Sequence, residues 1–147
     1  MSQVNSPIVP SVGAVAIADG RVLLVRQEEE SGHINGMYGF PAGRVEKGET
    51  ELEAVVREFR EETGLIAKPF DFSQFPNNYF VTDIPRKNNQ VITFGFRAYK
   101  VTNFIGELAG EANKTTPEWI KLEDLEQLEK DGKLLPNTIK IVNQVLQ

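Results

Sequence analysis

The stretch that most constrains this chain runs from Gly43 to Leu65 and reads GRVEKGETELEAVVREFREETGL. Its fixed points are Gly43, Glu49, Arg57, Glu58, Phe59, Glu61, Glu62, Gly64 and Leu65. Nine such positions match from average residue usage on the order of once in a billion starting points. Thr50 to Thr63 is rich in helix formers, and Leu52, Val55, Val56 and Phe59 recur at helical spacing. On a helix those four fall within roughly 100° of one another, which predicts a single core-facing stripe. Glu58, Glu61 and Glu62 fall within about 100° on a flank, centred some 115° away. Gly64 is placed to end the helix.

Three glutamates at this spacing repel one another, costing an isolated helix several tenths of a kcal/mol. They also sit near the helix C-terminus, where the helix dipole disfavours anions. A divalent cation reverses both penalties, because hard oxygen ligands on adjacent turns suit Mg²⁺ or Mn²⁺. Mg²⁺ commonly completes its shell with waters and substrate phosphates, so the pattern points to phosphate chemistry. A solvated acidic face is the plainer reading of a lone E-x-x-E-E. It does not require the bracketing glycines, nor Arg57 and Glu49 placed so that a loop carboxylate can pin the guanidinium.

The chain's 40% apolar and 25% charged residues are ordinary for a soluble globular protein. Its 147 residues are one domain's worth, so 1–147 is expected to form a single domain. A net charge of -5 argues against a nucleic-acid polymer as partner. Part of that excess is local: from 43 to 65, seven acids face four bases, a net of -3. The absence of cysteine excludes disulfides, thiolate metal sites and thiol catalysis. No apolar run approaches a membrane span, and MSQVNSPIVPS does not read as a signal peptide. No membrane partner and a cytoplasmic location are the resulting expectations.

In chain order, Val12 to Ala18 and Arg21 to Arg26 read as strands joined by a tight Asp19-Gly20 turn. Gln27 to Gly36 is a polar loop, and Met37 to Phe40 a short strand. Ile66 to Phe72 is expected as a strand interrupted by Pro69, and Tyr79 to Thr82 as another. Arg86 to Gln90 forms a tip before the strand Val91 to Val101, on which Ile92, Phe94, Phe96 and Ala98 share a face. Phe104 to Thr115 reads as a loop, and Glu118-Trp119-Ile120 as a last strand. Leu122, Leu125 and Leu128 mark a helix closed by Gly132; a final helix is expected with Pro136 in its first turn. The pattern alone says α/β or α+β.

The spacing from Gly43 to Leu65 resembles the signature of the Nudix hydrolases. That resemblance implies an α/β/α sandwich with a mixed sheet, the signature forming a loop-helix-loop that binds Mg²⁺ or Mn²⁺. It implies cleavage of a nucleoside diphosphate linked to another moiety, by water attack on phosphorus. By position, Glu58, Glu61 and Glu62 would be the metal-facing carboxylates, with Glu58 serving as or orienting the general base. Arg57 and Glu49 would fix the loop, with Gly43 and Gly64 supporting the motif and a carbonyl from Ala42 or Gly43 adding a ligand. Glu118 is the expected late accessory glutamate. Two positions depart from the commonest form: Phe59 where an aliphatic residue is usual, and Ala42 where a second glycine is frequent.

Substrate identity lies outside the motif. Arg26 and Trp119 are the expected substrate contacts. Arg86, Lys87, Tyr79, Phe80 and Phe96 are read first as surface or core residues, and His33, the only histidine, as a loop residue. Two rivals stand against a hydrolase: a binding or regulatory domain of the same fold without catalysis, and an interaction domain docking a basic partner on its acidic helix. The first predicts substitutions among the carboxylates, and all three are present. The second predicts no metal dependence. Members of the family are often dimers, which leaves a homodimer open, and no apolar stripe in this sequence names an interface.

Overall fold

A computed structural model describes residues 7–147. Eight strands form a mixed sheet: β1 (Val9–Ala18), β2 (Arg21–Gln27), β3 (Tyr38–Gly39), β4 (Ala42–Arg44), β5 (Phe72–Ser73), β6 (Tyr79–Pro85), β7 (Val91–Val101) and β8 (Thr115–Lys121). Three helices accompany them: α1 (Glu51–Thr63), α2 (Leu125–Lys130) and α3 (Thr138–Leu146). β1 runs parallel to β7 from Val9 opposite Phe94 to Ala16 opposite Val101. Every other pairing is antiparallel.

The strand β1 organises both layers because it is apolar on both faces. Val12, Ala14 and Ala16 pack with Ala54, Val55 and Phe59 of α1, while Val15 packs with Ile141 and Val142 of α3. Helices therefore cover both faces, the α/β/α sandwich expected from the motif. The small side chains of Ala14 and Ala16 leave space for Phe59, which is fully buried. Its ring meets Phe72 edge-on at 5.8 Å and Phe104 at 6.1 Å. Burying a side chain of this kind stabilises the fold by roughly 1.5–3 kcal/mol.

At the start of α1, Thr50 Oγ1 accepts from the Glu53 amide at 3.0 Å and Glu53 Oε1 accepts from the Thr50 amide at 2.9 Å. These reciprocal bonds satisfy two donors that a helix start otherwise leaves free. At the other end Gly64, with φ 77°, terminates the helix and donates its N–H to the Arg60 carbonyl. The expected stripe is present: Val55 and Phe59 are buried, with Leu52 and Val56 packed partly buried beside them.

Three expectations need correction. Ile66 to Phe72 is not a strand: Pro69–Asp71 forms a 3-10 turn, and only Phe72–Ser73 pairs, with β7. Pro69 fixes its φ near the helical value and has no N–H for a ladder, so the chain turns there. Pro136 lies outside the final helix, which starts after Asn137, a residue in the left-handed conformation at φ 70°. Ala42–Arg44, where the resemblance implied the start of a loop-helix-loop, pairs antiparallel with Ser11–Gly13 of β1. That pairing fixes the entry to α1 against the sheet.

Candidate active site

The motif is held by Arg57. Its Nε and Nη2 donate to the two oxygens of Glu49 at 2.8 and 2.9 Å, a fork-to-carboxylate pair. Nη2 also donates to the Arg44 carbonyl at 3.1 Å, and Nη1 to Glu58 at 2.5 Å and Glu61 at 3.3 Å. One guanidinium thus ties the loop before α1 to β4 and to two of the three flank carboxylates. Glu49 is held near 2, well below the usual range, by Arg57 and by the Glu46 amide. Arg57 therefore acts as a positioning residue in this geometry.

Glu58 lies against Gly43. A Cβ on that glycine would stand 2.2 Å from the Glu58 carboxyl carbon, so only glycine permits the approach. Burial pushes Glu58 up to about 6, with Arg57 opposing the shift and Glu61 and Glu111 adding to it. Glu62 is 8% exposed, and its Oε1 accepts from the Ala42 amide at 2.6 Å. Burial raises it well above the usual carboxylate range, against the Ala42 hydrogen bond, while Glu58, Glu111 and Glu61 raise it further. Glu61 is the most exposed of the three.

Glu111 is the acid that sequence reasoning missed. It belongs to the segment 104–114, which crosses the C-terminal end of α1: Ile105 pairs with Ile66, and the Ala109 amide donates to the Thr63 carbonyl at 2.8 Å. A Cβ on Gly64 would come within 2.7 Å of the Glu107 carbonyl oxygen, so Gly64 both caps the helix and admits this crossing. Glu111 is then fixed by a turn, its carbonyl accepting from the Lys114 and Thr115 amides at 3.0 Å. The available signal was an acid following Gly110 in a loop; the spacing to the motif gave no register for it.

Glu118 is not brought to these acids. It stands opposite Leu24 in the β2–β8 ladder, on the face that carries α3. Its Oε2 accepts from Tyr38 Oη at 2.7 Å and from Arg26 Nη1 at 3.3 Å. Alternation along β8 is the reason: Trp119 takes the α1 side, which sends Glu118 to the other. Trp119 is also not free to receive a base, since it packs against the α1-side core and stacks on Phe104 at 5.9 Å. Arg26 is engaged with Glu28 and Glu118.

Beside Gly43 opens a cleft of about 220 Å³. Phe40, Ile84, Phe94 and Phe96 supply apolar walls, Asn137 and Thr82 polar ones, and Ala42, Gly43 and Arg44 a shared wall with the carboxylates. Asn137 Nδ2 donates to Thr82 Oγ1 at 2.7 Å, which orients the amide.

Among the described residues no three acids already stand at metal-ligand spacing. Arg57 and the Ala42 amide engage the oxygens that a cation would draw. The donor set still fits a hard divalent ion: buried Glu62 and half-buried Glu58 are both raised by burial, and Glu61 and Glu111 raise them further.

The NUDIX domain profile matches residues 7–140. This chain belongs to the Nudix family. The MutT Nudix hydrolase of Burkholderia pseudomallei superposes with a TM-score of 0.73 at 26% identity, over 95% of this chain and 99% of that one. The Escherichia coli ORF135 protein gives 0.63, also at 26% identity, over 95% and 89%. Among curated relatives, the ADP-ribose pyrophosphatase of Methanocaldococcus jannaschii is 43% identical over 58 residues, 40% of this chain and 33% of that protein. The RNA pyrophosphohydrolase of Halorhodospira halophila is 51% identical over 57 residues, 38% and 29%. The matched stretches thus span about a third or less of these relatives. No helix among the described residues is long and apolar enough to cross a membrane.

Proposed function

We propose that this chain is a pyrophosphohydrolase of nucleoside diphosphate derivatives, dependent on Mg²⁺ or Mn²⁺, with residues 1–147 acting as one Nudix domain. The observation that carries the reading is buried Glu62 beside half-buried Glu58, against a strand that also walls an open, partly aromatic cleft. Buried like charges are retained at a cost, and the cost is removed when a cation binds between them. Relatives named ADP-ribose pyrophosphatase, CTP pyrophosphohydrolase and RNA pyrophosphohydrolase support the reaction class.

Glu58, Glu61, Glu62 and Glu111 would hold the metal, which when bound neutralises the diphosphate and lowers the pKa of an attacking water. Glu58 is suited to take the proton from that water, since it lies against Gly43, which lines the cleft. The water oxygen bonds to phosphorus and the bridging P–O bond breaks, the other half leaving on the bridging oxygen, with the bond electrons, as a phosphate monoester, phosphate or pyrophosphate. Arg57 keeps Glu58 and Glu61 aligned, and the apolar walls limit competing water.

The test is a screen with Mg²⁺ of nucleotide sugars, ADP-ribose, dinucleoside polyphosphates, and normal and oxidised nucleoside triphosphates, read by product identity. Release of a nucleoside monophosphate from at least one member, lost in Glu58→Gln by two orders of magnitude, supports the reading. Absence of metal-dependent hydrolysis across the panel contradicts it.

A further inference from the structure

From 105 to 114 every residue is exposed except Glu111, which is half-buried. A lone carboxylate on an exposed segment ordinarily faces water, where its charge is hydrated. Glu111 instead lies close enough to Glu58 and Glu62 for its charge to act on both. Like charges do not draw it there, and among the described residues no arginine or lysine pairs with its carboxylate. Its direction is set by its backbone.

Thr115 opens β8 and is 6% exposed, with its Cα opposite Gln27 in the β2–β8 ladder. Its Oγ1 accepts from the Glu111 amide at 3.2 Å, and its own amide donates back to the Glu111 carbonyl. Both polar groups of the Glu111 backbone therefore end on one residue, itself held by a strand. The far side of the turn is pinned as well. The Glu28 and Glu30 amides donate to the Lys114 and Asn113 carbonyls at 2.8 Å, fixing the turn against the chain that leaves β2. What is left to orient is the peptide plane before Glu111, and the Thr115 hydroxyl orients it.

The Cα–Cβ bond of a residue turns with the planar peptides on either side of it. A misplacement of about 1 Å in a positioned group is enough to impair a site. We propose that Thr115 is a positioning residue for the metal centre: its hydroxyl, fixed on β8, orients the Glu111 peptide so that the carboxylate faces those of α1. Threonine suits the task because its β-branched side chain is stiff at χ1. Valine has the same shape and cannot accept the bond; serine can. The inference rests on the pyrophosphohydrolase reading for the assignment of a cation to Glu111.

A hydroxyl that only stabilised the turn would matter equally whatever side chain stood at 111. A double-mutant cycle separates the two roles. Mn²⁺ affinity is measured by electron paramagnetic resonance in the wild type, Thr115→Val, Thr115→Ser, Glu111→Gln and the Thr115→Val/Glu111→Gln double variant. Thr115→Val is expected to bind about three- to tenfold more weakly, the equivalent of one hydrogen bond, and Thr115→Ser close to the wild type. The double variant is expected to bind no more weakly than Glu111→Gln alone. In EDTA, exchange of the Glu111 amide hydrogen, followed by NMR, should be faster in Thr115→Val and restored in Thr115→Ser. Unchanged exchange in Thr115→Val overturns the orienting bond without reference to metal. Wild-type Mn²⁺ affinity in Thr115→Val beside a weakened Glu111→Gln, or equal losses in both backgrounds, overturns the positioning role and leaves the reaction class standing. Undiminished affinity in Glu111→Gln removes Glu111 from the metal centre and the inference with it. Absence of Mn²⁺ binding in the wild type overturns the metal-dependent reading and this inference together.

Discussion

The Ala42 amide donates to the Glu62 carboxylate at 2.6 Å, joining β4 to the last turn of α1. This bond holds a buried acid behind Ala42, which lines the cleft, and engages one of its two oxygens. Its donor is a backbone N–H, so substitutions at Ala42 other than proline do not remove it. The expected effects of altering the neighbouring side chains follow from that arrangement.

Glu62→Gln removes a buried charge while keeping an oxygen to accept from Ala42. In EDTA at pH 7 the variant is expected to melt above the wild type, because the raised carboxylate opposes folding when ionised. With Mg²⁺ the order should reverse and hydrolysis should fall at least a hundredfold. Paired thermal melts with and without Mg²⁺ decide this; a variant that melts below the wild type in EDTA contradicts it.

Gly43→Ala places a methyl group where the Glu58 carboxyl stands. The Glu58 side chain must turn away, and Glu58 is flexible enough to do so without unfolding the helix. Activity should drop by an order of magnitude or more while the urea midpoint changes little. A large stability loss with activity retained per folded molecule would show the contact to be purely structural.

Arg57→Lys keeps a positive charge and loses the fork to Glu49. The variant is expected to unfold at a lower urea concentration than the wild type, because a single ammonium cannot reproduce the two parallel bonds. Urea unfolding measures it, and wild-type stability in the variant would refute the tying role.

The dependence of stability on pH separates two groups of opposite sign. His33 is depressed from 6.5 to about 4, so the unfolded chain takes up a proton that the folded one refuses, and stability falls as pH drops from 6.5 to 4. Glu58 is raised from 4.5 to about 6, so its cost is present at pH 7 and is relieved as pH drops through 6 towards 4.5. In EDTA, His33→Asn should gain on the wild type as the solution is acidified. Glu58→Gln should lose its advantage over the same interval. Urea titrations at pH 7 and pH 5 compare them, and parallel behaviour of the two variants would contradict both assignments.

The helix and its two faces were legible because 3.6-residue periodicity and the Gly64 stop are local properties. Phe59 and Val55 went inward, and Glu58 and Glu62 were placed beside each other, for that reason. The Arg57–Glu49 pair was legible from its eight-residue spacing across a turn. What depended on tertiary register was not. Glu118 was assigned from its place late in the chain, but the alternation of β8 puts it across the sheet, with Arg26 and Tyr38. Glu111 arrives through the crossing at Gly64, a contact between segments far apart in sequence. The bridge between His33 and Arg86 depends likewise on two loops meeting.

The central claim is that the buried carboxylates of α1 bind a divalent cation for hydrolysis. The most direct measurement is a Mn²⁺ titration followed by electron paramagnetic resonance, on the wild type, Glu58→Gln and Glu62→Gln. The account predicts saturable binding in the wild type, weakened about tenfold or more in each variant, since each loses a charged ligand. Equal Mn²⁺ affinity in all three proteins would contradict it.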